Sequence, residues 1–270
     1  MPTRHIEAVT INQDTSCFVE LLLRSLYATH SDLDGIRLTI LDNNSTDEMR
    51  HLTSLAEDKK IPIVQTKWDR NTPGNNHGEN LRDFVLSHQD CDYFLFLDAD
   101  IVFVQDETVT TMASELAGAG DDVWAIQARF TEDWETEVPW GSLDEGGAEK
   151  FINIMMEDDI EDVQPGKALE HLPMPAVLGD RMHPSCCLIR NTEAFLLTAR
   201  EIGFSCVDFE ESGGGKVYDT LGLATQVMKT HGLHYILSSK MVKHFRGVAR
   251  KQRNAEKDES RERLLLQYRA

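Results

Sequence analysis

The sequence predicts a single α/β domain in which a mostly parallel central sheet is flanked by helices. Strand-like and helix-like segments alternate along the first half of the 270 residues, which is the pattern of a parallel sheet covered by helices. Residues 93–97 (YFLFL) form a continuous apolar run, typical of a central strand buried on both faces. The 41% of hydrophobic residues is enough for the core of one large domain.

The chain opens with a strand, a helix and a second strand. Residues 6–11 are predicted to form the first strand, and the apolar stretch 18–28 the first helix. Ser16 stands two residues before that stretch and is expected to cap the helix. Residues 37–41 (RLTIL) are rich in apolar and β-branched side chains and predict the second strand.

The next three elements lead to the central strand. Ser45 and Glu48 have the spacing of a capping box, so a helix is expected to begin there. Residues 61–66 predict a strand, and Pro62 within it favours an edge position. A loop rich in Gly, Asn and Pro then leads to a helix over 79–88.

The second half is less regular. Its expected helices and strands cover residues 106–117, 123–128, 187–189, 192–202, 219–230 and 233–237. Between them, residues 131–171 are strongly acidic, are punctuated by Gly and Pro, and carry Trp134 and Trp140. A long segment of this kind in a compact domain is usually a functional loop or lid. The charged residues 250–270 are expected to form a helical tail on the surface of a domain that spans 1–249.

The charge of the chain limits its partners. With 46 acidic and 27 basic residues the formal charge is −19, and such a surface repels nucleic acid and anionic membranes. An anionic substrate would therefore need a divalent cation and a few well-placed basic residues. The charge also serves solubility.

Three further features predict a soluble cytoplasmic protein. The chain has no run of about 18 apolar residues that could span a membrane, and its first residues lack the apolar stretch of a secretory signal. Its cysteines are odd in number and have no CxxC spacing, which favours reduced thiols and argues against a zinc site. They are Cys17, Cys91, Cys186, Cys187 and Cys206.

Two carboxylates follow the central strand directly. Asp98 and Asp100 come after 93–97, and residues two apart in an extended strand point the same way. Ligands of open α/β sheets bind at the carboxyl ends of the strands. Two adjacent carboxylates repel one another unless a cation lies between them. Hard oxygen ligands of this kind suit Mg²⁺ or Mn²⁺, so the pair predicts a metal site.

This motif and three other segments resemble the GT-A fold glycosyltransferases, in particular glycosyltransferase family 2. Residues 41–47 (LDNNSTD) resemble the D-[DN]-x-S-x-D stretch after the second strand. Residues 10–12 resemble the end of the first strand, and 76–82 the N-x-G…A-R-N segment. The resemblance covers residues 5–105 well and the remainder loosely. It implies a GT-A type, Rossmann-like sheet with a nucleotide-sugar half over 5–105 and an acceptor half over 106–249.

The resemblance also implies roles for individual residues in the first half. Asp42 would contact the nucleobase, and Arg82 would contact the phosphates of the donor. The full set of expected nucleotide-sugar-binding residues is Thr10, Ile11, Asn12, Asp42, Asn43, Arg82, Asp98 and Ala99.

In the second half the resemblance implies an acceptor site and a third metal ligand. Residues 183–190 (HPSCCLIR) are similar to the G-x-x-x-L-I-R strand that forms the floor of the acceptor site. Asp219 occupies the place of the catalytic base. His244 follows the last predicted strand, where a histidine completes the metal shell with Asp98 and Asp100.

The implied reaction is metal-dependent transfer of a sugar from a nucleoside-diphosphate sugar to a hydroxyl or amine of a small molecule or glycan. The resemblance to family 2 implies inversion at the anomeric carbon, although retaining GT-A enzymes share the sequence of the motif that contains Asp98 and Asp100. A sugar-nucleotide nucleotidyltransferase is an alternative, but it would open with a Gly-rich, basic loop, and residues 13–15 (QDT) lack both Gly and Lys. A module that binds nucleotides or sugars without activity is the other alternative.

Overall fold

The computed structural model describes residues 5–67, 76–131, 181–205, 207–209, 216–218, 220–245 and 255–268. The strands are β1 (Ile6–Asn12), β2 (Ile36–Asp42), β3 (Ile63–Gln65), β4 (Tyr93–Leu97), β5 (Ile101–Phe103), β6 (Val123–Phe130), β7 (Cys186–Arg190), β8 (Val207–Phe209), β9 (Lys216–Tyr218) and β10 (His234–His244). The helices are α1 (Ser16–Thr29), α2 (Arg50–Lys59), α3 (Asn76–Ser87), α4 (Thr108–Gly118), α5 (Glu193–Glu201), α6 (Gly222–Thr230) and α7 (Ala255–Gln267).

Eight of the described strands form one sheet in the order β3-β2-β1-β4-β7-β6-β10-β5. Strands β7 and β5 run antiparallel to their neighbours, and the other six are parallel to one another. Strand β5 comes from the first half of the chain but pairs with β10, the last strand of the second half. One sheet therefore unites the two halves, and the predicted single α/β domain with a mostly parallel sheet is confirmed.

Both faces of the sheet are buried under helices. In β4 the side chains of Leu95 and Leu97 join the core on one face, whereas Phe94 and Phe96 join the core on the other. Helices α1, α2 and α4 cover the first face, and α3, α5 and α6 cover the second. Alternate side chains of a strand point to opposite faces, which explains why YFLFL is apolar throughout. No helix among the described residues is long and apolar enough to cross a membrane.

The loops after β1 and β2 are fastened together, which corrects two predictions about helix starts. Ser16 is the first residue of α1 and not its cap, and its N–H and hydroxyl donate to Asp47 at 2.9 and 2.8 Å. The Asp47 carboxylate thus serves the amino end of α1, where the helix dipole favours negative charge. Ser45 contacts Asn12 and the N–H of Asp14, and α2 begins only at Arg50, without a side-chain cap.

Elements in both halves differ from the prediction. Strands β5, β8 and β9 were not expected, and β10 continues to His244 and does not end at residue 237. An irregularity in β10 interrupts its apolar pattern, and there Ser238 and Ser239 donate hydrogen bonds to Glu115. Helix α6 begins at Gly222 after Leu221 in a left-handed conformation.

The charged tail forms α7 within its predicted range. The helix buries Leu265 against Phe18 and Phe245, so it is packed on the domain. The acidic segment lies outside the described residues after Thr131. Of the cysteines, the four that are described are free thiols.

Candidate active site

The candidate site lies at the carboxyl edge of the sheet, where several chain segments meet. Strands β1, β2, β4 and β10 end there, β7 begins there because it runs in the opposite direction, and α3 begins near the same edge. Main-chain hydrogen bonds fix the convergence: the N–H of Asp98 donates to the carbonyl of Ser185 at 2.9 Å, and that of Phe245 to the carbonyl of Asp100 at 3.0 Å. Open α/β sheets bind ligands at this edge.

Asp98, Asp100 and His244 come together here as predicted from the sequence. One ligand atom from each lies within 4.8 Å of the other two. Nε2 of His244 is 3.1 Å from Oδ1 of Asp100 and 3.7 Å from Oδ2 of Asp98. The pairing of His244 with Ile101 across β10 and β5 places the imidazole beside the acidic motif, and the Phe130 ring stacks on it at 5.2 Å.

The three side chains fit a divalent cation. Two carboxylate oxygens and one imidazole nitrogen form a ligand set that suits Mn²⁺ or Mg²⁺. The set lacks the thiolates that a structural zinc site often uses. Asp100 is 7% exposed, so its charge is shielded from water and needs a partner inside the site.

Two more histidines surround Asp98, and sequence reasoning missed both. Nε2 of His77 lies 3.4 Å from Oδ1 of Asp98, and Nδ1 of His183 lies 3.9 Å from Oδ2. Burial raises the pKa of Asp98, but the hydrogen bond from His77 and the charges of His77, His183 and His244 outweigh it and hold this pKa well below its usual range. The available signals were that His77 precedes the helix predicted over 79–88 and that His183 begins the HPSCCLIR stretch.

The residues predicted for the nucleobase form a buried polar group between β1 and β2. Nδ2 of Asn12 is 2.9 Å from Oδ1 of Asp42, and the N–H of Ser45 donates to Oδ2 at 3.2 Å. Asp42 is 4% exposed and Asn12 is fully buried. The Asp42 carboxylate therefore also stabilises the two loops, and its loss would affect the fold as well as a ligand.

Asn43 belongs to the same group. Its side-chain oxygen accepts hydrogen bonds from Asn80 at 2.7 Å and Thr66 at 2.5 Å. Among the described residues, its buried Nδ2 and the buried hydroxyl of Thr10 have no hydrogen-bond partner. Buried polar atoms of this kind favour a ligand or an ordered water. Ile11 lies between Thr10 and Asn12 in β1 and is buried in the core.

The remaining predicted residues have different positions. The guanidinium of Arg82 donates to the carbonyls of Ala199 and Arg200 at 2.9 and 2.8 Å, so it fastens α3 to the end of α5 and is not gathered with Asp98, Asp100 and His244. Ala99 lies between the two aspartates and packs against the core. Asp219 lies outside the described residues.

Comparison with known proteins supports the fold. No protein-family model and no curated sequence matches the chain. A mannosyltransferase from Pyrobaculum calidifontis in complex with GDP-Man and Mn²⁺ is similar in structure, with a TM-score of 0.54 and 16% identity over 98% of this chain and 63% of that one. This chain thus spans less than two thirds of the length of that enzyme.

Two further structures agree. TarS of S. aureus has a TM-score of 0.51 and 13% identity, covering 98% of this chain and 70% of that chain. Glucosyl-3-phosphoglycerate synthase from Mycobacterium tuberculosis, in complex with Mn²⁺ and UDP-Glc, has a TM-score of 0.50 and 15% identity, covering 98% and 79%. The chain has the GT-A glycosyltransferase fold, as the sequence resemblance implied.

Proposed function

We propose that this protein is a metal-dependent glycosyltransferase that moves a sugar from a nucleoside-diphosphate sugar to a hydroxyl or amine acceptor, with inversion at the anomeric carbon. The observation that carries the proposal is the group formed by Asp98, Asp100 and His244 at the carboxyl edge of a GT-A sheet. Similar folds in complex with GDP-Man and Mn²⁺ or with UDP-Glc and Mn²⁺ support this reading of the site.

The three side chains would hold Mn²⁺ or Mg²⁺ in contact with the donor diphosphate. When bound, the cation supplies neutralisation of the negative charge that develops on the leaving diphosphate. Asp98 and Asp100 keep that position negative in the absence of donor, which suits a cation far better than an anion. A cation also explains how a chain with a formal charge of −19 could accept an anionic donor.

The polar group between β1 and β2 would receive the nucleoside. Asn12 pairs with Asp42 at the ends of the two strands, and Asn43 follows Asp42. A buried carboxylate can accept a hydrogen bond from a base N–H. The unpartnered Nδ2 of Asn43 and hydroxyl of Thr10 support a polar ligand there.

The second half of the chain would bind the acceptor. Strand β7 lies beside β4 in the sheet, so residues 183–185, which precede β7, lie next to Asp98. Asp219 remains our proposed general base, taking the proton from the attacking group as its bond to the sugar forms and the bond to the diphosphate breaks. The acidic segment 131–171 would cover the acceptor and exclude water.

Metal-dependent stabilisation by a nucleoside diphosphate tests the proposal. UDP and GDP should each be assayed by thermal shift with and without Mn²⁺, on the wild-type protein and on Asp100→Ala. We expect Asp100→Ala to abolish the metal-dependent shift, and Asp90→Ala, which removes an exposed carboxylate away from the site, to keep it. A full shift in Asp100→Ala would place the metal elsewhere.

Turnover separates the proposal from its alternatives. Incubation with a panel of nucleotide sugars should release nucleoside diphosphate, by slow hydrolysis in the absence of acceptor. Formation of a nucleotide sugar and pyrophosphate from a sugar phosphate and a nucleoside triphosphate would identify a nucleotidyltransferase. Binding of nucleotide sugars without release of nucleoside diphosphate from any of them would identify a binding module.

A further inference from the structure

The carboxylate of Asp98 is held from both sides. Its Oδ1 lies 3.4 Å from Nε2 of His77, whereas its Oδ2 faces His244 at 3.7 Å and His183 at 3.9 Å. The two oxygens therefore have separate partners. A carboxylate fixed at Oδ1 cannot rotate freely, so Oδ2 stays directed towards the other metal ligands.

His77 is itself fixed by the second half of the chain. Its Nδ1 lies 3.4 Å from the hydroxyl of Thr220, a residue that is 3% exposed. The carbonyl of Thr220 accepts a hydrogen bond from Arg181 at 3.0 Å, and the carbonyl of Arg181 accepts one from the hydroxyl of Tyr235 at 3.1 Å. Tyr235 belongs to β10, the strand that ends in His244. A continuous series of contacts thus leads from one metal ligand, through His77, to the strand of another.

The backbone at His77 has little freedom because of the next residue. A Cβ atom on Gly78 would lie 2.4 Å from Cα of Ser205 and 2.5 Å from the carbonyl of Phe204. Only glycine permits this approach, since all three atoms are main-chain atoms that cannot move aside. The amino end of α3 is therefore pressed against residues 204–205, which fixes the origin of the His77 side chain.

We infer that His77 is a positioning residue that orients Asp98 for binding a divalent cation. The inference rests on the proposed function, because it requires that Asp98 bind a metal. The Nε2–H of His77 donates to Oδ1 of Asp98, while Nδ1 contacts the hydroxyl of Thr220. Carboxylates that bind metals commonly depend on such outer hydrogen bonds, and their loss usually costs about 10- to 100-fold in metal affinity.

The test is a titration of the purified 270-residue chain with Mn²⁺ alone, in which the electron paramagnetic resonance signal of free Mn²⁺ is recorded. We expect His77→Ala to raise the Kd for Mn²⁺ about 10- to 100-fold. His77→Gln carries an amide N–H that can reach Oδ1 of Asp98, so it should bind within a few-fold of wild type. His51→Ala, which removes an exposed histidine on α2, should not change the Kd.

Each outcome decides between a specific and a general role. Equal losses in His77→Ala and His77→Gln would mean that the ring fills space and does not orient Asp98, which would overturn the inference. Wild-type affinity in His77→Ala, together with lost binding in Asp100→Ala, would overturn it while the proposed metal site stands. Absence of Mn²⁺ binding by the wild-type chain would refute both the inference about His77 and the proposed metal site.

Discussion

His30 joins helices α1 and α4 through hydrogen bonds that require a neutral ring. Its Nδ1 lies 2.9 Å from the carbonyl of Leu26 and donates to it, and its Nε2 accepts from the N–H of Val109 at 3.0 Å. That N–H belongs to the first turn of α4, where helices leave their donors without an internal partner. Because His30 is 5% exposed and the Val109 side chain is fully buried, water cannot readily replace the imidazole.

The sign of the resulting pH dependence follows from the shift of the His30 pKa. Burial lowers this pKa below its ordinary value of 6.5 and outweighs the Leu26 carbonyl and the charges of Glu107 and Asp106, which raise it. The unfolded chain therefore binds more protons in the window below 6.5. The contribution of His30 to the free energy of unfolding is fully present above pH 6.5. It is lost as the pH falls towards the pKa of the folded state, by at most about 1.4 kcal/mol per pH unit.

Replacement of His30 by Phe should separate this contribution from those of other groups. At about pH 8 we expect His30→Phe to be less stable by about 1–3 kcal/mol, because the buried N–H of Val109 loses its acceptor. Below about pH 6.5 the gap should narrow, because the wild type loses stability on protonation and the variant does not.

Urea denaturation of both proteins, followed by circular dichroism from about pH 8 to about pH 5.5, measures the two free energies of unfolding. The difference between the two curves isolates His30, because the other histidines titrate in both proteins. A gap that stays constant across this range would refute the reasoning.

Two further predictions concern the proposed binding and transfer steps. Asp42→Ala should weaken nucleoside-diphosphate binding about 10- to 100-fold, since an unpaired base donor costs about 1–3 kcal/mol. It should also lower the melting temperature, because Asn12 and Ser45 lose a hydrogen-bond partner. Unchanged affinity in calorimetry would contradict the proposed contact between Asp42 and the nucleobase. Asp219→Asn should lower kcat by about 10²- to 10⁴-fold with donor affinity near wild type, and normal turnover in a steady-state assay would shift the role of base to Glu210 or Glu211.

Much of the sheet and the candidate metal ligands could be predicted because their signals are local. The strand Tyr93–Leu97 has the bounds expected from its apolar run, and the acids that follow it occupy the carboxyl edge of the sheet. His244 was expected after the last strand and is in fact its final residue. The error in the predicted end of the last strand does not change the expected position of His244, because the imidazole reaches the carboxyl edge of the sheet in either case.

The features that sequence reasoning missed depend on contacts between distant segments. Ser45 has the local signature of a helix cap, but Asn12 and Asp14 use its hydroxyl, so α2 begins later. The three residues of β5 form a strand only because β10 lies beside them. The proximity of His77 to Asp98 depends on where α3 begins, and no periodicity in the preceding sequence specifies that.

Helix α7 packs against β5, the strand at one end of the sheet. Among the described strands, β5 has a neighbour on one side only, and such strands can pair with another chain. Here Leu265 of α7 packs on Val102 and Phe245, and the hydroxyl of Tyr268 donates to the carbonyl of Phe103 at 3.0 Å. A main-chain acceptor that could recruit a foreign strand is thereby occupied from within the same molecule. Since β5 directly follows Asp100, the helix that covers this edge of the sheet also packs against the strand next to the candidate metal ligands.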